Sequence, residues 1–192
     1  AGNSRGYKTI IVMPETQSQE KKDALRIAKA DLRLVPALPY RDPGNYIRIS
    51  QSMAEELQKE TGANVIWANQ FDNVANRGGH FSTTGPEIWE QTDGSVDGFI
   101  CAVGSGGTLA GVGAYLKSRK SKIAIGLADP NGSALFNYYE NGEFKAEGNS
   151  ITEGIGQGRI TANLEDFKPD YSFRISDEVA LPILFDLMSE EG

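Results

Sequence analysis

The stretch Val96-Asp-Gly-Phe-Ile-Cys-Ala-Val103 runs into Gly104-Ser-Gly-Gly-Thr108 and then into Leu109-Ala-Gly-Val-Gly-Ala-Tyr-Leu116. An apolar run, a turn of small residues and an immediate helical stretch together dictate a buried strand, a tight turn and a helix. The first N–H groups of such a helix have no internal acceptor and point outward, where the helix dipole favours negative charge. Glycines let a ligand approach the backbone, and Ser105 and Thr108 add hydroxyl donors. The turn therefore suits a phosphate group. Taken alone, it is also consistent with a purely structural tight turn.

With 192 residues, 39% of them hydrophobic, the chain can bury a core as one large domain or two small ones. Its formal charge of −7 argues against nucleic-acid or anionic-membrane partners, since no basic patch is present to release counterions. Arg119, Lys120 and Lys122 cluster, but as a solvated helix end. The single cysteine, Cys101, cannot form an internal disulfide and lies within the apolar strand. It reads as a small core residue of a protein from a reducing, cytoplasmic compartment. The single histidine, His80, leaves no paired-histidine metal site, and no metal is expected. No apolar run is long enough to span a bilayer, and no signal peptide is visible. The chain starts at Ala1 without Met and stops at Gly192 just after a helical stretch, so both ends are expected to be cut.

Strands alternate with helices, the pattern of an α/β protein with mostly parallel sheets flanked by helices. Residues 9–13 form a first strand, and Thr16 or Ser18 caps a helix to about Ala28. Residues 32–36 make a second strand. Asp42 with Pro43 then opens a second helix that carries Tyr46, Ile49, Met53 and Leu57 on one core-facing stripe and closes at Gly62. A third strand is expected at 64–68, which makes residues 1–71 a βαβαβ unit. Residues 72–192 form the second part. A polar loop covers 72–84, a helix starts at Gly85-Pro86, and the strand–turn–helix described above follows. Further strands fall at 123–128 and 171–175, with an irregular stretch between them. Ser176 caps a last helix whose start is expected to slip later because Pro182 sits inside it.

Three readings compete for the glycine turn. A dinucleotide would place its ribose near Asp129 at a downstream strand end, but the third glycine of that fingerprint would fall at Leu109. A nucleophile elbow on Ser105 would need a glycine at Val103 and a histidine downstream, whereas His80 lies upstream. The third reading is a cofactor phosphate.

Other segments narrow the choice. Met13-Pro-Glu-Thr-Gln-Ser-Gln-Glu20, Asn69-Gln-Phe-Asp-Asn-Val-Ala-Asn76 and Thr83-Thr-Gly-Pro-Glu-Ile-Trp89 occur in order, followed by Val103-Gly-Ser-Gly-Gly-Thr-Leu-Ala-Gly111 and Gly154-Ile-Gly-Gln-Gly158. Together they resemble the cysteine synthase A (O-acetylserine sulfhydrylase) family of fold type II enzymes dependent on pyridoxal 5′-phosphate. The resemblance runs from about Arg5 to Gly192. It implies a two-subdomain, tryptophan synthase β-like fold, truncated or partly ordered in this chain. Residues 1–71 would be part of the smaller N-terminal subdomain, and 72–192 part of the larger, cofactor-binding one.

The resemblance also implies roles for individual residues. Gly104, Ser105, Gly106, Gly107 and Thr108 match the family's phosphate cradle. Gly2-Asn3-Ser4 resembles the loop whose asparagine faces the cofactor's 3′ oxygen and whose hydroxyls hold the substrate carboxylate. Gln70 matches a glutamine that binds that carboxylate, and Gly154 a glycine backing the cofactor. Gln70 could equally end a strand, and Gly154 could serve a turn.

Departures from the family pattern are as informative. None of the ten lysines matches the family's Schiff-base lysine, and Lys8, Lys21, Lys22 and Lys117 sit in polar surroundings that keep an amine charged. No catalytic residue is therefore assigned within the chain. The family's Gly-x-Ser-Ser-Gly motif is also missing. No helix fits between Asn3 and Arg5-Gly-Tyr-Lys8, where the family has one. This suggests either ordered pieces of a longer chain written end to end or a truncated product. In the first case Ser4 would belong to the end of that helix. Lys29 replaces a glycine usual before the second strand.

The activity implied is β-replacement, making L-cysteine from O-acetyl-L-serine and sulfide in a cytoplasmic homodimer, with serine acetyltransferase as a conceivable partner. Two alternatives stand beside it. One is a related enzyme of the cystathionine β-synthase kind, and the other is a non-catalytic fragment or paralogue.

Overall fold

The computed structural model describes residues 2–192. The chain forms two compact units, one running up to Asn69 and the other from Gln70 to Gly192.

In the first unit, strand β1 (Ile10–Pro14) pairs in parallel with β2 (Asp31–Val35), and Ile10 lies opposite Asp31. Helix α1 (Gln19–Ile27) makes the crossover between them. It starts where Ser18 Oγ accepts the Lys21 N–H at 3.4 Å, which satisfies one of the donors a helix start leaves open. Helix α2 (Tyr46–Thr61) begins later than Asp42-Pro43 suggested. Asp42 Oδ1 instead accepts the Gly44 N–H at 2.8 Å, forming a turn, and the cap passes to Asn45, whose Oδ1 accepts the Ile47 N–H at 3.0 Å. Gly62 ends α2 at φ +66°, with its N–H bonded to Gln58 O at 3.1 Å. Tyr46, Ile49, Met53 and Leu57 line a half-buried stripe.

The expected third strand does not form. Residues 64–68 join no ladder, so the sheet has two strands and the βαβαβ expectation is corrected to β-α-β-α. The short apolar run Val65-Ile-Trp-Ala68 is compatible with a strand, but a strand needs a neighbour's backbone groups as well as a pattern. Ile66 is 82% exposed, and the segment is held through a side chain, with Trp67 Nε1 donating to Ser50 Oγ at 3.0 Å.

The second unit is built on a parallel three-stranded sheet in the order β3 (Gly98–Ala102), β4 (Ala124–Pro130), β5 (Tyr171–Ile175). Gly98 pairs with Ala124, and Gly126 with Tyr171. Helix α5 (Gly107–Arg119) links β3 to β4 and is buried on most sides. Leu109, Val112 and Leu116 join Ile123, Ile125, Leu127, Leu135 and Leu164 in one core. Full burial of each such aliphatic side chain contributes about 1.5–3 kcal/mol.

The stretch expected to be a polar loop at 72–84 holds helix α3 (Ala75–Ser82), followed by α4 (Thr84–Gln91). Its sequence, Ala-Asn-Arg-Gly-Gly-His-Phe-Ser, has poor intrinsic helicity, and packing supplies the stability. Gly111 on α5 makes that packing possible. A Cβ there would collide with Arg77 O and the His80 Cβ. Phe81 and Tyr115 add an edge-to-face contact at 5.6 Å.

The irregular stretch contains α6 (Leu135–Asn141) and a 3-10 turn at Ala162–Leu164. Helix α7 (Asp177–Glu190) starts directly after Ser176, whose side chain makes no capping hydrogen bond, and runs through Pro182, so it begins earlier than expected. Among the described residues, no helix is long and apolar enough to cross a membrane.

Candidate cofactor site

The turn between β3 and α5 is shaped by what surrounds each glycine. A Cβ on Gly104 would lie 2.5 Å from Gly154 O, one on Gly106 would enter the Leu164 side chain, and one on Gly107 would enter the Asn76 amide. Gly106 also holds φ +87°, a left-handed conformation that costs an L side chain strain. The turn thus accepts no larger residue at these three positions.

The first backbone bond of α5 runs from Ala110 N–H to Gly106 O at 3.0 Å. The Gly107 N–H has only the Ser105 Oγ, at 3.4 Å. The Thr108 and Leu109 N–H groups have no backbone acceptor among the described residues. Ser105 O, which Leu109 would otherwise use, accepts the Thr161 hydroxyl at 2.7 Å. Ser105 and Thr108 are half-buried, with Gly106 and Gly107 buried beneath them. Amides without backbone acceptors at the start of a thirteen-residue helix, beside two hydroxyls, are groups suited to an anion.

Side chains from α3 and the preceding turn brace this arrangement. Asn76 Nδ2 donates to Ser105 Oγ at 2.9 Å and to Gln70 O at 2.8 Å. His80 bridges two threonines, with Nε2 3.2 Å from Thr108 Oγ1 and Nδ1 2.9 Å from Thr84 Oγ1. Asn163, fully buried, donates to Gln70 O and Phe71 O at 3.0 and 2.8 Å and accepts the Arg77 N–H at 3.1 Å. The Arg159 guanidinium holds the Asp72 carboxyl below its ordinary range, and burial opposes this only partly.

Two competing ligand readings fail on this geometry. Asp129 is only 1% exposed, its Oδ2 accepts the Phe136 N–H at 2.8 Å, and burial pushes its carboxyl pKa up. It is an interior group and cannot hold a ribose. The lone histidine bonds Thr108 rather than Ser105, so among the described residues no imidazole is paired with Ser105 as a nucleophile elbow requires. Burial also pushes the Cys101 thiol up, which keeps it neutral in the strand.

A model of the family described as "Pyridoxal-phosphate dependent enzyme" matches residues 1–192. The chain belongs to that family of pyridoxal-phosphate dependent enzymes. Cysteine synthase 1 of Neurospora crassa is 48% identical over 194 residues, covering 98% of this chain and 50% of the relative. A solved structure of O-acetyl serine sulfhydrylase isoform 3 from Entamoeba histolytica superposes with a TM-score of 0.79 at 32% identity, covering 100% of this chain and 53% of that one. An O-acetylserine dependent cystathionine beta-synthase from Helicobacter pylori gives 0.80 at 29% identity, covering 98% and 57%. The chain spans about half the length of the curated relatives it matches.

For a pyridoxal-phosphate dependent enzyme, the residues at the turn fit the phosphate of that cofactor. The amides and hydroxyls are present, and side chains that would block them are absent from Gly104, Gly106 and Gly107. The structure brings Gly154 beside Gly104 and ties the Gln70 backbone to Ser105 through Asn76, while the Gln70 side chain is exposed. Asn3 and Ser4 lie in the first unit, in a 3-10 turn at Asn3–Arg5. The Asn3 amide is engaged there, with Nδ2 bonded to Ala28 O and Oδ1 accepting Thr9 Oγ1 at 3.2 Å. Sequence reasoning gave no role to Asn76, His80, Thr161 or Asn163. Asn76 sits in a motif quoted for its resemblance. The others carried no local signal.

Proposed function

We propose that this chain is part of an enzyme that makes L-cysteine from O-acetyl-L-serine and sulfide by β-replacement. The phosphate of pyridoxal 5′-phosphate is held at Gly104, Ser105, Gly106, Gly107 and Thr108. The observation that carries the reading is the set of amides without backbone acceptors, beside the Ser105 and Thr108 hydroxyls, at the start of α5 in a chain of this family. Bound there, the cofactor supplies an electron sink for the carbanion left when the substrate α-proton is removed.

This chain's residues bind and orient. The turn neutralises and anchors the phosphate, Gly154 backs the cofactor, and Gln70 contributes to the substrate carboxylate. The same reading gives Asn3 to the cofactor and Ser4 to the substrate, and Asn3 must then exchange its bonds to Ala28 and Thr9. No residue here is assigned the proton transfer, since none of the ten lysines matches the Schiff-base position. The first compact unit belongs to the smaller N-terminal subdomain and the second to the larger, cofactor-binding one. The family resemblance also supports a cytoplasmic homodimer and, as a partner, serine acetyltransferase.

In the full-length protein, Thr108→Ala or Gly106→Asp should lower the cofactor retained after dialysis, read by absorbance. Undiminished content would overturn the cradle. The rival is a related enzyme of the cystathionine β-synthase kind that uses homocysteine, and steady-state rates with sulfide against homocysteine separate the two.

A further inference from the structure

Asn76 lies beneath the glycine turn, and its neighbours define which of its amide atoms is nitrogen. The Gln70 carbonyl can only accept, and it lies 2.8 Å from the atom that must therefore be Nδ2. The second hydrogen of that nitrogen meets Ser105 Oγ at 2.9 Å. The amide is locked from behind, because Gln70 O also accepts Asn163 Nδ2, and Asn163 is fully buried and satisfied at its other atoms. A flipped Asn76 would set carbonyl against carbonyl.

Ser105 Oγ has two lone pairs and one hydrogen. Asn76 donates to one lone pair, and the Gly107 N–H approaches the other at 3.4 Å. With both lone pairs engaged, the hydroxyl hydrogen is left free to donate, next to the Thr108 and Leu109 amides, which have no backbone acceptor among the described residues. We infer that Asn76 is a positioning residue that polarises Ser105, fixing its hydroxyl as a donor toward a bound phosphate. Without Asn76 the hydroxyl rotates, donates backward to the protein and turns a lone pair to the anion. This inference rests on the phosphate-cradle reading and adds a residue to it.

The test is a double-mutant cycle in the full-length apoprotein, titrated with pyridoxal 5′-phosphate and, separately, with pyridoxal. Asn76→Ala should weaken binding of the phosphorylated form about tenfold and leave pyridoxal binding unchanged. In a Ser105→Ala background the same change should cost nothing further. Fully additive losses, or equal losses for both ligands, would overturn the inference and mark Asn76 as merely structural. Asn76→Asp keeps the shape but accepts where asparagine donates, so it guards against misfolding. It should bind the phosphorylated form more weakly than Asn76→Ala and shift the phosphorus NMR signal of the bound ligand. Wild-type binding by this variant also overturns the inference. Should Ser105→Ala alone leave affinity intact, the cradle itself falls, so the two failures are read apart.

Discussion

Asp72 and Arg159 meet as a two-pronged ion pair at 2.8 and 2.7 Å, although 87 positions separate them in the chain. The pair fastens the turn ahead of α3 to the segment that follows Gly154, and Asp72 Oδ1 also accepts the Ala162 N–H at 3.0 Å. Two stretches that frame the glycine turn are thereby held in one arrangement.

This pair has a pH signature. The hydrogen bond from Arg159 lowers the Asp72 pKa from its ordinary 3.8. Its stabilisation is therefore complete above that ordinary value and is lost as pH falls through the lower folded value. Asp72→Asn should destabilise the protein by about 1–2 kcal/mol at neutral pH. It should also flatten the fall of the urea midpoint below pH about 4. A midpoint that keeps its full acid dependence would show that other carboxylates carry it.

Gly106 and Gly154 share nearly the same backbone angle, φ +87° and +86°, but differ in their surroundings. A Cβ at Gly154 meets nothing within 4 Å, so Gly154→Ala should cost only backbone strain, about 1 kcal/mol. At Gly106 the same methyl enters Leu164, and Gly106→Ala should cost at least about 3 kcal/mol. Denaturant unfolding of the two variants side by side separates conformation from crowding. Equal losses would contradict the packing described.

Asn163 makes three buried hydrogen bonds that join Gln70, Phe71 and Arg77. Asn163→Ala removes them and leaves a void, so a loss of about 2–4 kcal/mol is expected. Amide hydrogen exchange at the start of α3 should rise with it. A change under about 0.5 kcal/mol would show that the neighbouring contacts hold the turn without it.

The buried Tyr139 hydroxyl has no hydrogen-bond partner among the described residues. Burial, with a contribution from Tyr138, pushes its pKa up to about 12 from 10. Stability is accordingly unaffected below pH 10 and falls as pH rises through about 12. Tyr139→Phe removes the unmatched hydroxyl, and should raise stability by up to about 1 kcal/mol and remove this alkaline loss. A lower thermal midpoint for the variant would reveal a partner for the hydroxyl.

Much of the architecture was legible because it depends on local chemistry. The Ser18 cap, the Gly62 stop, the apolar strand before Gly104 and the helix entered directly after it all follow from neighbouring residues. Helix α3 was not legible. Two glycines and a histidine make a poor helix in isolation, and its partner surface, opened by Gly111, lies far along the chain. The unformed strand at 64–68 failed for the opposite reason. Its pattern is local, but a ladder needs a second backbone, and none pairs with it. The same division runs through the site, where the small residues of the turn announced themselves and the amides of Asn76 and Asn163 did not.

The sequence by itself determined the parallel α/β plan and the helix that opens directly on a glycine turn. Each of these is written in spacing, caps and small residues over short distances. Only the tertiary structure decided which carbonyl Asn76 faces, that Asp129 is sealed inside, and that Asp72 finds Arg159. Hydrogen-bond direction and burial are set by groups brought together from distant positions, and no local pattern carries that information.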